Sequence, residues 1–303
     1  MIHDFLSSWG LFHNTYLAGW LIGLLLSMVG VLVVARDQIF LGAAVSQAST
    51  LGIAAGMRMG GMFASSGFAW LQTDGFLSCM AVTFCVAAAL FTWQESMPQR
   101  ESYEAKTGWV FLLSASVSIL IVSDSPHGLE EIYRLLSSNI IGATATDVRI
   151  FALLVVLTIL FFGLAHRHIL LFAMDPAMAV AVGMKIGLWG VILSVWLGLS
   201  VGLSIRSAGM LYTFGCLVLP ALIAKKLCRE VLSMFFMAPC IAVVTGAAGF
   251  ILANHYDYPP AQMTVALLCL SLAIAWQKRA MIILSSSTSF ASSVRSATSR
   301  FRK

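Results

Sequence analysis

Charge is scarce in this sequence of 303 residues. Only 18 basic and 13 acidic residues are present, so 10% of the chain is charged, whereas soluble globular domains average about 25%. A water-soluble protein of this length could not cover its surface with so few charges. This scarcity excludes a soluble enzyme, and it argues against a nucleic-acid partner despite the formal net charge of +5. Because hydrophobic residues make up 59% of the sequence, we expect an integral membrane protein.

The sequence also lacks the short motifs of several enzyme classes. It contains no GxxxxGK[ST] phosphate loop and no HExxH, which excludes ATP hydrolysis by the phosphate-loop route on this chain. Its six cysteines form no CxxC or Cys/His spacing and are interpreted as structural bulk within the bilayer. We therefore expect a chain that is not an enzyme and carries no cofactor of its own.

Long apolar runs, in contrast, are frequent. A bilayer core of about 30 Å requires roughly 20 apolar residues per helix. Runs of about this length lie at 15–35, 38–57, 75–93, 107–123, 150–165, 186–205, 207–224, 231–253 and 261–277. Continuous apolarity favours helices over barrel strands, which alternate with period two. Residues 1–284 are therefore predicted to form an all-α polytopic bundle of eight or nine transmembrane helices, with a tight hairpin at Arg206.

The loops between these runs are unevenly charged. Nine spans divide the loops into two alternating sets that hold fourteen and four basic residues. Because cytoplasmic loops are enriched in lysine and arginine, the richer set, which begins with Arg36, is predicted to be cytoplasmic. We therefore expect a cell-membrane protein whose C-terminus is cytoplasmic. Residues 285–303 contain ten Ser or Thr and four basic residues, which predicts a disordered cytoplasmic tail.

The interiors of the predicted spans contain almost no ionisable residues. Proton- and sodium-driven carriers usually hold such groups near the midplane, so a secondary transporter working without an ATPase is the less favoured alternative. Several spans contain glycines four residues apart, which allow close helix packing: Gly19/Gly23, Gly52/Gly56, Gly56/Gly60 and Gly198/Gly202. Pro220 removes one backbone donor within a span, which gives either an inert kink or a carbonyl free to face a pathway.

The loop from His166 to Gly187 contains a short apolar segment. Asp175 can cap a helix whose first residue is Pro176, and the following run to Val182 ends at Gly183. Three interpretations stay open: a helix that docks into a partner's groove, a helix lying flat on the membrane, or an extension of the sixth span.

Five segments, in order, resemble the ABC-3 family, the permeases of ATP-binding-cassette importers for zinc, manganese or iron. Residues 174–183 resemble its "fDPelAxaxG" loop, and Arg36 to Gly56 resembles its "R…GDAxSHAxxPGxxxG" helix. The other three are residues 135–147, residues 207–229 and residues 256–259.

The resemblance implies a type II ABC importer-like permease of divalent metal ions, whose cargo is the transported metal. Its expected partners are a dimer of cytoplasmic ATPase subunits that bind ATP, a second permease copy or sister permease, and an external metal-binding protein. It implies that residues 175–183 contain the ATPase-coupling helix, whose motif residues are Asp175, Pro176, Ala179 and Gly183. It also supplies four candidates for the translocation path: Ser46, Gln47, Pro220 and Asp257.

One departure from the family's pattern affects the metal site. The family places Asp and His four residues apart on the second span, where this chain has Ala43 and Gln47. A neutral amide is a weak ligand for zinc. Three interpretations stay open: a sister permease supplies the ligands, the metal passes Ser46, Gln47 and backbone carbonyls, or the cargo is not a bare cation. The predicted outer loop around residues 123–149 adds a weak metal candidate, His127, among several acidic residues including Asp147.

Overall fold

The computed structural model describes residues 2–62, 73–93, 103–123 and 140–277, and these ranges are helical with short connections. The predicted tail at 285–303 and the candidate His127 lie outside the described residues. Within them, nine helices are long and apolar enough to cross a membrane, which agrees with the nine runs in the sequence.

The helices are numbered in chain order. The bounds of the nine long helices and of the short helix α6 are: α1 Ile2–Ala35, α2 Ile39–Met62, α3 Asp74–Thr92, α4 Tyr103–Val122, α5 Ala145–Met174, α6 Pro176–Ala181, α7 Ile186–Ala208, α8 Met210–Leu227, α9 Val231–Tyr256 and α10 Pro260–Gln277. A 3-10 turn, Ile140–Gly142, precedes α5.

Helix α1 lies at the centre of the bundle. It packs against α5, α8 and α9, while α2 packs against α3 and α4, and α3 packs against α7. Glycines of α8 and α9 approach α10. Most of the described side chains of α1 (residues 9–35), α2 and α8 are buried, whereas α4, α5 and α9 expose large apolar side chains such as Leu120, Leu164 and Phe236. Exposed apolar faces on spanning helices are suited to contact with lipid.

Helices pack closely at several of the glycines that are spaced four residues apart. A Cβ on Gly198 or Gly202 of α7 would lie 2.7 to 2.8 Å from the backbone of Val86 and Val82 on α3. The four-residue spacing on one helix thus matches a four-residue spacing on the other, as expected where small residues let backbones approach. A Cβ on Gly52 of α2 would lie 2.5 Å from the carbonyl oxygen of Met80. The prediction of a tightly packed bundle is confirmed at these sites.

Two helix boundaries differ from the sequence-based prediction. The fifth span was expected to end at 165, but α5 continues to Met174 because the apolar residues after His168 extend the helix beyond the charged turn. The break between the seventh and eighth helices lies at Gly209, not at Arg206. Gly209 has φ 79°, a conformation that glycine adopts without the steric strain of a Cβ.

Polar contacts at the helix ends divide into two groups. At one end, named the Arg36 end, the guanidinium of Arg36 lies over the ring of Phe172, and Lys225 Nζ donates to Asp37 Oδ1 at 2.5 Å. At the other, named the Arg206 end, Arg206 pairs with Asp74. Each contact joins residues that the alternating nine-span topology places on the same side of the membrane.

Candidate translocation path and docking segment

The segment around α6 is a fully capped short helix. The carboxylate of Asp175 accepts a hydrogen bond from Met178 N at 2.9 Å, and Pro176 occupies the first helical position, as the sequence predicted. At the other end, the amide of Gly183 donates to Val180 O at 2.9 Å and that of Met184 donates to Ala179 O at 3.0 Å. With φ 83° at Gly183, these bonds form a Schellman motif. A chain turn therefore separates α6 from α7, and α6 is not an extension of the sixth span.

Three large apolar side chains of α6 and its C-terminal cap are exposed. Met178, Val180 and Val182 are 57%, 61% and 69% exposed, whereas Ala179 is wholly buried against the rest of the chain. We name these three exposed residues the α6 face. Ala179 therefore anchors the helix, and the α6 face is accessible to another molecule.

Helix α6 lies beyond Arg167, the basic residue near the end of α5. Met174 lies seven residues after Arg167 on the same helix. At a rise of 1.5 Å per residue, the two are about 10 Å apart along the helix axis. If Arg167 lies at headgroup level, as basic residues at helix ends do, the α6 face projects into water. Exposed apolar surfaces of this kind mark sites of contact with another protein or with a membrane.

The residues on α2 that replace the family's ligand pair contribute no charge. Ala43 and Ser46 are buried inside the chain and Gln47 is partly exposed. The hydroxyl of Ser46 has no hydrogen-bond partner among the described residues, and its backbone carbonyl accepts a bond from Thr50 Oγ1 at 3.4 Å. No cluster of three or more His, Cys, Asp or Glu side chains occurs in the described ranges. Of the two polar α2 candidates, only Gln47 can therefore face a path outside the chain.

Pro220 lies inside α8 without ending it, and both Pro220 and Cys216 are buried. The Cys216 carbonyl, which loses its helical donor to the proline, therefore lies within the bundle and not on its surface. Asp257 ends α9 in a left-handed conformation with φ 54°, and it is exposed at the Arg206 end. The four path candidates are thus spread over three regions and are not brought together in one site.

A cavity of about 670 Å³ opens at the Arg206 end. Asp147 forms one of its walls: its carboxylate accepts hydrogen bonds from Thr144 N at 2.8 Å and from Ser207 Oγ at 3.3 Å. Arg206 and its partner Asp74 form another wall. The sequence placed Asp147 in an acidic outer region but did not single out the Asp74–Arg206 pair. The sequence does contain an indication of this pair, because Asp74 and Arg206 each lie at the end of an apolar run.

The sequence matches a known family and several of its members. The family model of the ABC 3 transport family matches residues 8–279. The manganese transport system membrane protein MntC of Halalkalibacterium halodurans is 21% identical over 84% of this chain and 82% of its own length. The high-affinity zinc uptake system membrane protein ZnuB of Haemophilus influenzae is 24% identical over 80% and 87%.

A solved structure shares the fold. It is that of PsaBC from Streptococcus pneumoniae in complex with Fab, and it superposes with a TM-score of 0.75 at 19% identity, covering 91% of this chain and 95% of the matched chain. The nine-helix architecture and the family match over most of the sequence lead to one conclusion: the chain is an integral membrane protein of the ABC 3 transport family.

Proposed function

We propose that this chain is the membrane permease subunit of an ATP-driven importer for a divalent metal ion, manganese or zinc. It works with a second permease, and a dimer of cytoplasmic ATPase subunits supplies the energy. An external metal-binding protein delivers the cargo. The Arg36 end and the C-terminus are cytoplasmic in this proposal, and the cavity at the Arg206 end faces the delivery protein.

The observation that carries the proposal is the α6 face. Met178, Val180 and Val182 are exposed at a helix capped at both ends, and docking into a groove of an ATPase subunit would bury them. The same short helix is held rigidly: Asp175 ends α5 and caps α6, so α5 and α6 share a single residue. Movement of α6 by an ATPase is therefore transmitted directly into α5 as a rigid-body change.

The distribution of charge supports an external energy source. In the described helices, the Asp, Glu, Lys and Arg residues lie near the helix ends and none lies in the central part of a span. Ion-driven carriers couple transport through ionisable groups near the midplane. The described bundle offers no such group, which favours an ATPase over an ion gradient.

The metal ligands are proposed to come mainly from the partner permease. Ser46 is buried within this chain and Ala43 has no donor atom, so Gln47 is the only one of these three side chains available to a cation. One neutral amide oxygen does not form a site for zinc or manganese, which prefer imidazole and carboxylate ligands respectively. An asymmetric pair, in which a sister permease holds the charged ligands, meets this requirement.

Uptake of ⁵⁴Mn and ⁶⁵Zn tests the proposed function. Deletion of the gene is expected to remove most high-affinity uptake of one of the two metals, and expression of the wild-type chain is expected to restore it. Restored uptake should be lost when cellular ATP is depleted by arsenate and should persist when a protonophore collapses the proton gradient. The opposite sensitivity would indicate a secondary transporter and overturn the proposal.

Metal binding by the isolated chain tests the proposed ligand source. The purified chain is expected to bind Mn²⁺ or Zn²⁺ more weakly than 1 µM, which corresponds to about 8 kcal/mol, because the described spans contain no charged ligand pair. Calorimetric titration of the wild-type chain and of Gln47→Ala should give the same weak binding. Micromolar or tighter binding that disappears in Gln47→Ala would show that this chain holds the site.

A further inference from the structure

A second cavity, of about 50 Å³, lies at the Arg36 end between α1, α3, α4, α5 and α7. Its apolar lining includes Phe172, and its lining residues with polar groups are Arg36, Gln38, Trp93, Tyr103 and Ser194. One water requires roughly 10–15 Å³ on this measure. The cavity therefore admits a group of several heavy atoms, and it is partly open to its surroundings.

The guanidinium of Arg36 is the charged group of this cavity. Its central carbon lies 4.4 Å from the centroid of the Phe172 ring, and within the described ranges it has neither a carboxylate partner nor a hydrogen-bond acceptor. Partial burial lowers the pKa of Arg36 below its ordinary value because desolvation disfavours the charged form. The side chain nevertheless stays protonated. A partly desolvated cation without an anion attracts one.

Two neutral side chains of the cavity, Trp93 and Tyr103, are buried donors. The indole Nε1 of Trp93 and the hydroxyl of Tyr103 are buried and have no hydrogen-bond partner in the described part of the chain. The Trp93 ring is held against α7 by Gly190, where a Cβ would lie 1.9 Å from the indole nitrogen. Buried donors without acceptors are costly and normally have a partner.

From this geometry we infer that the Arg36 cavity binds a phosphate group. Its cation and two neutral donors match an oxyanion, which accepts several hydrogen bonds at once. The cavity lies at helix ends bordered by tryptophan and tyrosine, the residues that mark the membrane–water interface. Basic pockets between helices on the cytoplasmic side bind the headgroups of anionic lipids. The phosphate comes from such a headgroup or from solution.

Another basic side chain at this end is already occupied and provides a control. Lys225 Nζ donates to Asp37 Oδ1 at 2.5 Å and to Val34 O at 3.1 Å. It lies at the same end of the bundle but does not line the cavity. Lys225→Gln therefore changes the charge of this end by as much as Arg36→Gln and leaves the cavity intact.

Lipid binding by the full chain tests the inference. Native mass spectrometry with phosphatidylglycerol is expected to show a retained lipid, and its affinity should fall about tenfold in Arg36→Gln, the effect of losing a hydrogen bond to a charged group. Trp93→Phe, which keeps a ring against Gly190 and removes the N–H, should weaken binding by about three- to tenfold. Lys225→Gln should bind as the wild type does.

A second measurement identifies the source of the phosphate. Inorganic phosphate is added to the chain in neutral detergent, and thermal stability is followed for the wild type and for Arg36→Gln. Stabilisation of only the wild type by phosphate, without retained phosphatidylglycerol, assigns the cavity to a free oxyanion; retained lipid without this effect assigns it to a headgroup. Equal lipid binding and equal phosphate response in the wild type and in Arg36→Gln would overturn the inference, even if Arg36→Gln were less stable.

Discussion

Met178→Glu is expected to abolish metal uptake while leaving the permease folded and in the membrane. Met178 is 57% exposed on the α6 face, and it occupies the third position of α6 after the Asp175 cap. Glutamate is favourable there because it complements the positive end of the helix. The substitution therefore changes the surface of α6 and not its fold. A carboxylate buried without a partner in an apolar groove costs about 2–5 kcal/mol, which weakens ATPase binding by roughly 30-fold or more.

Two matched variants separate docking from other effects. Met178→Leu keeps an apolar side chain of similar volume and should support uptake and co-purification of the ATPase at wild-type levels. Met62→Glu places the same charge on a residue of similar exposure, 65%, at the Arg206 end and should also leave both unchanged. The readouts are the amount of ATPase retained by affinity-tagged permease and ⁵⁴Mn or ⁶⁵Zn uptake. Full co-purification and uptake with Met178→Glu would exclude α6 from docking.

Much of the architecture could be predicted from the sequence because the bilayer imposes a strong constraint. A helix that crosses it must be long and continuously apolar, and each of the nine runs corresponds to a helix in the structure. Sequence motifs were equally reliable at α6. Asp175 caps the start of the helix, Pro176 occupies its first position and Gly183 forms the turn that ends it. These properties depend on neighbours in sequence, and they can be read without knowing which helices meet.

Tertiary contacts could not be predicted in the same way. The sequence marks Ser46 and Gln47 as adjacent candidates on α2, but their different exposure depends on how α2 packs against α3 and α4. The Arg36 cavity is another example: its donors Arg36, Trp93 and Tyr103 come from three separate segments of the chain, and it is visible only when the helices are assembled that they have no acceptor among the described residues. Hydropathy reports how deep a residue lies in the membrane but not which residue it faces.

Gly30→Ala is expected to be the most destabilising single-methyl change in the described bundle. A Cβ on Gly30 of α1 would lie 1.7 Å from the carbonyl oxygen of Leu217 on α8, so the two helices must separate. Overpacking typically costs 1–3 kcal/mol, occasionally more, and backbone cannot move aside as a side chain can. We expect a loss of about 3 kcal/mol or more, which lowers the apparent Tm by roughly 6–12 °C. Gly163→Ala, where a Cβ would have open space, should not lower it.

A second glycine that meets Leu217 distinguishes backbone from side-chain obstruction. A Cβ on Gly42 of α2 would lie 2.7 Å from Leu217 Cδ2, the end of a side chain. In a double-mutant cycle followed by heat-step size-exclusion chromatography, Leu217→Val should therefore relieve part of the Gly42→Ala penalty, with a coupling of about 0.5–3 kcal/mol. It should relieve none of the Gly30→Ala penalty, because the Leu217 carbonyl remains in place. Equal stability of Gly30→Ala and Gly163→Ala, or rescue of Gly30→Ala by Leu217→Val, would show that α1 and α8 do not meet through their backbones at this crossing.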